Sequence, residues 1–135
     1  MEHERAMKKP LIAIVDDDPS VREALDALLR SFGYDAEAFA SGEAFLSSQL
    51  VERVACVIAD IHMPGITGLE VHERLVASGK PVSTILITAY PDDGVRAAAL
   101  AGGVTAYLRK PFSNDELIRC LHARSGVGAG EGMAS

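Results

Sequence analysis

Two patterns alternate along the chain. Short, nearly continuous apolar runs give way to longer stretches in which apolar residues recur every three or four positions. The runs are LIAIV (11–15), YDAEAF (34–39), VACVIA (54–59), VSTILIT (82–88) and TAYLR (105–109). Runs this short, bounded by turn residues, predict strands, and LIAIV, ending at Asp16, suits one buried on both faces.

The intervening stretches carry helix signals. Val21, Ala24, Leu25, Leu28, Leu29 and Phe32 share one helical face, with Asp18 as cap, Pro19 at the first position and Gly33 as the stop. Residues 41–50 predict a short helix. Thr67 and Glu70 form a capping-box pair that opens a helix through Val71, Leu75 and Val76. Gly79 and Pro81 introduce the fourth strand. An Ala-rich helix over 92–101 stops at Gly102 and Gly103. Ser113 and Glu116 repeat the capping-box pattern, and the helix they open turns Ile118 and Leu121 inward and ends near Arg124. Five strands and five helices in strict alternation predict an α/β domain. Its sheet is parallel with helices on both faces, because right-handed crossovers leave little else.

Composition narrows this picture. The 135 residues fit one domain, and 48% of them are hydrophobic, enough for a substantial core. With 5% aromatic residues and no Trp, that core is aliphatic and Ala-rich. The net charge is -6 and there is no Lys/Arg cluster, so the electrostatic footprint of a nucleic-acid binder is missing. No apolar run approaches the roughly 20 residues that span a bilayer. MEHERAMKKP is not followed by a signal-peptide core, and the expected location is cytoplasmic. Cys56 and Cys120 lack C-x-x-C spacing and read as two separate buried or half-buried thiols. No internal repeat is present. Residues 1–9 read as a mobile N-terminus, 10–124 as the folded domain and 125–135, SGVGAGEGMAS, as a flexible tail or linker stub.

The chemistry lies at the strand ends. In open parallel sheets, ligands bind beyond the carboxyl ends of the strands, where strand order reverses. For the doubly wound order 2-1-3-4-5, strands 1 and 3 are neighbours at that point. Strand 1 runs into Asp16 and Asp17, and strand 3 ends on Asp60, so three carboxylates converge. Carboxylates that close raise one another's pKa or demand a cation, and oxygen-only ligands suit a hard divalent ion, with Mg²⁺ the natural candidate. Strand 4 ends on Thr88, a hydroxyl donor for a phosphoryl oxygen, and strand 5 is followed by Lys110, a mobile cation suited to the same task. Nucleophile, metal ligands, hydroxyl and cation together point to phosphoryl transfer to a carboxylate. Asp18 reads as a helix cap rather than a ligand. His3, His72 and His122 lack ligand spacing and read as surface residues, and Met63 as loop packing.

IVDDDPSVREAL, IADIHMPGITGLE, ILITAY and AYLRKPF, in this order and spacing, resemble the receiver domain of bacterial two-component response regulators. VDDDPSVREAL also looks like the nitrogen-fixation regulator branch. The resemblance implies a flavodoxin-like (βα)5 fold and a phosphorylation-dependent switch. Asp60 would accept a phosphoryl group from a sensor histidine kinase or a histidine phosphotransfer protein. Asp17, Asp60 and the backbone carbonyl of His62 would ligate Mg²⁺, and Asp16 would act mainly through a water on the metal. The Pro64-Gly65 turn and Gly68 would shape the loop that carries the His62 carbonyl. Thr88 and Lys110 would bind phosphoryl oxygens. Tyr107 would be the switch aromatic, turning inward when Thr88 moves, and the Lys110-Pro111 bond would be cis. His62 and Tyr90, two residues after the acceptor and after Thr88, would tune phosphoryl lifetime. The output face would be helix 4, strand 5 and helix 5, meeting a downstream protein target or a second copy in a phosphorylation-linked homodimer. Self-modification by small phosphodonors does not make the chain an enzyme.

Two rivals remain open. One is a binding module with this fold that does not use phosphorylation, a reading the set Asp17, Asp60, Thr88 and Lys110 argues against. The other is a phosphatase with Asp16 as nucleophile, since DDDPS contains D-x-D. Against it, Ser20 stands where Thr or Val is usual, and 135 residues leave little space for a substrate cap. The residues after Arg124 are too few for an output domain. That leaves a stand-alone receiver or a piece cut in a Gly-rich linker.

Overall fold

The computed structural model describes residues 9–80 and 82–125. Residues 1–8, 81 and 126–135 lie outside the described residues. With them go the expected mobile N-terminus, nearly all of the Gly-rich tail, His3 and the part assigned to Pro81.

Five parallel strands form one sheet in the order β2-β1-β3-β4-β5. They are β1 (Leu11–Val15), β2 (Asp35–Phe39), β3 (Cys56–Asp60), β4 (Ser83–Thr88) and β5 (Ala106–Arg109). Between and after them come α1 (Pro19–Ser31), α2 (Gly42–Leu46), α3 (Gly68–Ala77), α4 (Asp93–Ala101) and α5 (Asn114–Ser125). This is the predicted order and alternation.

The period-2 geometry of the strands divides the core in two. Ala13, Val15, Val57, Ala59 and Leu86 face Phe45 of α2, Val71 and Leu75 of α3 and Ala99 of α4. Ile12, Ile14, Ile58, Ile85 and Ile87 face Leu25 and Leu29 of α1 and Leu117, Ile118 and Leu121 of α5. A strand covered on both faces is therefore apolar over most of its length, which is why β1 and β3 read as nearly unbroken runs. Met63 is buried in the first of these layers, and Cys56 and Cys120 are not joined in a disulfide.

The caps form where expected. Asp18 accepts the Ser20 N–H at 2.9 Å, and Pro19 occupies the first turn of α1. Gly33, at φ +89°, takes the left-handed conformation that ends this helix. Both capping boxes close: Thr67 with Glu70, and Ser113 with Glu116.

Two expectations need correction. The helix over 41–50 is broken, with α2 ending at Leu46 and a 3-10 turn over Gln49–Glu52. The Ser47 hydroxyl donates to the Glu43 carbonyl at 3.0 Å, and the Ser48 hydroxyl accepts the Leu50 N–H at 3.0 Å. The Ser47 amide still bonds the Glu43 carbonyl, but the Ser48 hydroxyl takes the Leu50 N–H out of the helix ladder and starts a new turn. His72, expected at the surface, is only 5% exposed. Its Nδ1 lies 3.2 Å from the Thr84 hydroxyl and its Nε2 lies 3.0 Å from the Gly102 carbonyl. A carbonyl only accepts, so Nε2 carries the proton toward Gly102. Burial is tolerated because both ring nitrogens are satisfied.

Candidate functional site

The register fixes the site. Val15 pairs with Ala59 across the central β1–β3 contact, so the next residue on each chain, Asp16 or Asp60, emerges at the same sheet edge. Carboxylate oxygens of Asp16, Asp17 and Asp60 all lie within 4.8 Å of one another. Asp16 is fully buried, Asp60 nearly so, and Asp17 is exposed. Lys110 comes in from the end of β5, its Nζ 3.2 Å from Asp16 Oδ2 and 3.2 Å from Asp60 Oδ2. The Lys110–Pro111 bond is cis.

Each acid is held by backbone groups as well. Asp16 Oδ1 accepts the Asp18 N–H at 2.9 Å, and Asp60 Oδ1 accepts the His62 N–H at 3.1 Å. Burial raises the Asp16 carboxyl above its ordinary range, and the Asp60 charge adds to this. The Asp18 N–H and the Lys110 ammonium oppose the rise without cancelling it. Burial acts to lower the Lys110 ammonium, but Asp16 and Asp60 together outweigh it and hold Lys110 above its ordinary value.

Thr88, at the end of β4, is completely buried. Its hydroxyl accepts the Tyr90 N–H at 2.9 Å, which leaves the hydroxyl proton for donation. Its carbonyl accepts the Lys110 N–H at 2.7 Å, which ties β4 to the lysine turn. Tyr107 is half-buried, and its hydroxyl accepts the Asp92 N–H at 3.1 Å, just before α4. It thus engages the β4–α4 loop. His62 and Tyr90 meet edge to face, with ring centroids 5.4 Å apart and planes at 83°. Both lie beside the acidic edge, and Tyr90 is 72% exposed.

Three supporting residues escaped the sequence reading or acquired a sharper role. Arg22, on α1, donates from Nη1 to the Asp16 carbonyl at 2.9 Å. Glu43, on α2, accepts the Ile66 N–H at 3.2 Å, 23 positions away. Neither contact has a local sequence signal. Gly68 allows α3 to start against β3, since a Cβ there would lie 2.6 Å from the Asp60 carbonyl oxygen.

Residues 12–122 match the model of the response regulator receiver domain. The chain belongs to that family. The receiver domain is 33% identical over 121 residues to nodulation protein W of Bradyrhizobium diazoefficiens, covering 90% of this chain and 53% of that protein. It is 34% identical over 121 residues to the transcriptional regulatory protein FixJ of Azorhizobium caulinodans, covering 90% of this chain and 57% of that one. The receiver therefore spans about half the length of the curated relatives it matches. A crystal structure of a response regulator receiver protein from Burkholderia phymatum superposes with a TM-score of 0.73 at 48% identity, covering 85% of this chain and 94% of that one.

The donor set of the receiver fits a hard divalent cation. It offers only oxygen, from three carboxylates on one edge. Three carboxylates and one ammonium leave two negative charges, which one divalent ion would balance. Among the described residues no helix is long and apolar enough to cross a membrane.

Proposed function

We propose that this receiver domain is a switch driven by phosphorylation of Asp60. The observation that carries the reading is the edge itself: Asp60 beside Asp16 and Asp17, with the Lys110 ammonium 3.2 Å from two of the three carboxylates. An oxygen of Asp60 attacks the phosphorus of a phosphohistidine on a sensor kinase or phosphotransfer protein. The O–P bond forms as the N–P bond breaks, and the electron pair returns to the imidazole nitrogen, which takes up a proton. Asp16, Asp17, Asp60 and the His62 carbonyl would hold Mg²⁺, which when bound supplies positive charge to the phosphoryl oxygens. Lys110, already beside Asp60, moves onto one such oxygen, and the free proton of Thr88 donates to another. An apolar groove of about 550 Å³, lined by Val21, Ala24, Leu28, Pro111 and Phe112 among others, opens beside Lys110 and suits the donor protein's approach.

Output follows from Thr88 and Tyr107. As Thr88 moves toward the phosphoryl group, Tyr107 gives up the Asp92 N–H and turns inward. The surface of α4, β5 and α5 then shifts toward a second, pre-existing arrangement. That face meets a downstream protein target or a second copy, in the cytoplasm, without direct contact to nucleic acid. His62 and Tyr90, whose rings touch, would set how long the phosphoryl group survives.

Borohydride reduction after treatment with acetyl phosphate and Mg²⁺, followed by peptide mapping, tests this. Reduction at position 60 is the expected result. Reduction at position 16 would favour the phosphatase reading, and none at either position would favour a module that does not use phosphorylation.

A further inference from the structure

The loop from Ile61 to Thr67 carries the His62 carbonyl, yet its middle has few anchors. The His62 N–H bonds Asp60 at one end, and the Thr67–Glu70 capping box holds the other. Between them, the one hydrogen bond from the described residues runs from the Ile66 N–H to Glu43 Oε2 on α2, at 3.2 Å. The fit around this bond is close on both sides. Gly65, at φ +80°, lies so near Glu43 that a Cβ on it would be 2.5 Å from Oε2. Gly42, next to Glu43, lets Ile66 approach so near that a Cβ at 42 would be 2.7 Å from its side chain. A glycine on each side thus brings the first turn of α2 against the loop, and Glu43 makes the polar tie.

We infer that Glu43 is a positioning residue for the phosphorylation site: through Ile66 it fixes the loop that carries the His62 carbonyl. This rests on the proposed role of that carbonyl in holding Mg²⁺. Glu43 itself touches neither the acids nor the phosphoryl position. It acts through the Ile66 amide, as outer contacts orient the ligands of metal sites. Its carboxylate also lies in the first turn of α2, where any acid favours the helix dipole. The test must therefore separate the hydrogen bond from the charge.

Glu43→Gln keeps an oxygen acceptor and removes the charge, whereas Glu43→Ala removes both. Glu43 is exposed, so both variants should fold. Two quantities are measured: hydrogen exchange of the Ile66 amide in metal-free protein, and Mg²⁺ affinity by calorimetry. Glu43→Ala is expected to speed exchange at Ile66 and to weaken Mg²⁺ binding about threefold to tenfold, the scale of one net hydrogen bond. Glu43→Gln is expected to restore most of both. Unchanged Mg²⁺ affinity in Glu43→Ala would overturn the inference, as would a Glu43→Gln variant that behaves like Glu43→Ala. If the wild type itself bound no Mg²⁺, the reading of the site would fail and the inference with it. That outcome is distinct from an inference that fails alone.

Discussion

Gly68 joins the start of α3 to the strand end that carries Asp60, and replacing it with Ala tests that junction. A Cβ at this position would lie 2.6 Å from the Asp60 carbonyl oxygen, 3.0 Å from its carbon and 3.1 Å from Leu86 Cδ2. Ordinary carbon–oxygen contacts are about 3.3 Å or longer, so something must move by roughly 0.7 Å. The Asp60 backbone cannot yield freely, because the next amide, Ile61 N–H, bonds the Ile87 carbonyl at 2.9 Å. Overpacking of this kind costs about 1–3 kcal/mol. Ala is the better helix former by about 1 kcal/mol in a helix interior, but Gly68 is the first residue of α3, where that gain shrinks. The expected net loss is about 1–2 kcal/mol, a shift of about 1 M in the urea midpoint at an unchanged slope. Gly94→Ala is the comparison. Its Cβ would meet only Asp92 Oδ1, at 3.2 Å, within about 0.1 Å of an ordinary contact, so the bond by which Oδ1 caps α4 at Val95 hardly moves. Its expected change is within about 0.5 kcal/mol. Urea unfolding of both variants without Mg²⁺ decides the matter. A Gly68→Ala midpoint at or above wild type would refute the claim that α3 is packed to contact against the Asp60 backbone.

Four further outcomes are expected. His72→Leu leaves the Thr84 hydroxyl and the Gly102 carbonyl without their ring partner and should cost about 1–3 kcal/mol in urea unfolding; a neutral result would mean the ring bonds add no net stability. Lys110→Ala removes the cation between Asp16 and Asp60, so Mg²⁺ should raise the melting temperature more in the variant than in wild type; an equal or smaller rise would show that the ammonium does not compete for the edge. Tyr90→Ala and His62→Ala should change the dephosphorylation rate non-additively, because their rings touch, and an unchanged rate in Tyr90→Ala would remove its lifetime role. Asp16 has a raised pKa when folded, so the folded chain holds its proton more tightly than the unfolded chain. Its ionised form therefore lowers stability at neutral pH, and the penalty fades as pH falls through the folded pKa toward the lower unfolded value. Without Mg²⁺, Asp16→Asn should flatten that part of the stability–pH profile, and a profile parallel to wild type would contradict the assignment.

Much of the fold was legible because its signals are local. Strands covered on both faces are mostly apolar, as in β1, and caps such as Asp18 and Thr67 act within three residues of themselves. The site was legible for a different reason. Parallel topology gathers strand ends on one edge, so Asp16, Asp17, Asp60 and Lys110 come together although Lys110 and Asp16 are 94 positions apart. What escaped depends on distant partners. His72 looks like a surface residue until Thr84 and Gly102, 12 and 30 positions away, satisfy its ring. Glu43 looks like a solvated acid until Ile66 arrives beside it. The break at Ser47 and Ser48 was hidden because two serines carry no marked helix-breaking signal, and only their hydroxyl bonds reveal it. The pairing of Tyr107 with the Asp92 amide likewise required the β4–α4 loop to be placed.

The central claim is that Asp60 is the phosphoacceptor, and intact mass tests it most directly. Wild type and Asp60→Ala would be incubated with acetyl phosphate, with Mg²⁺ and with EDTA. One phosphoryl increment is expected in the wild type with Mg²⁺, lost in EDTA and absent from Asp60→Ala. An increment that persists in Asp60→Ala would contradict the claim by placing the nucleophile elsewhere.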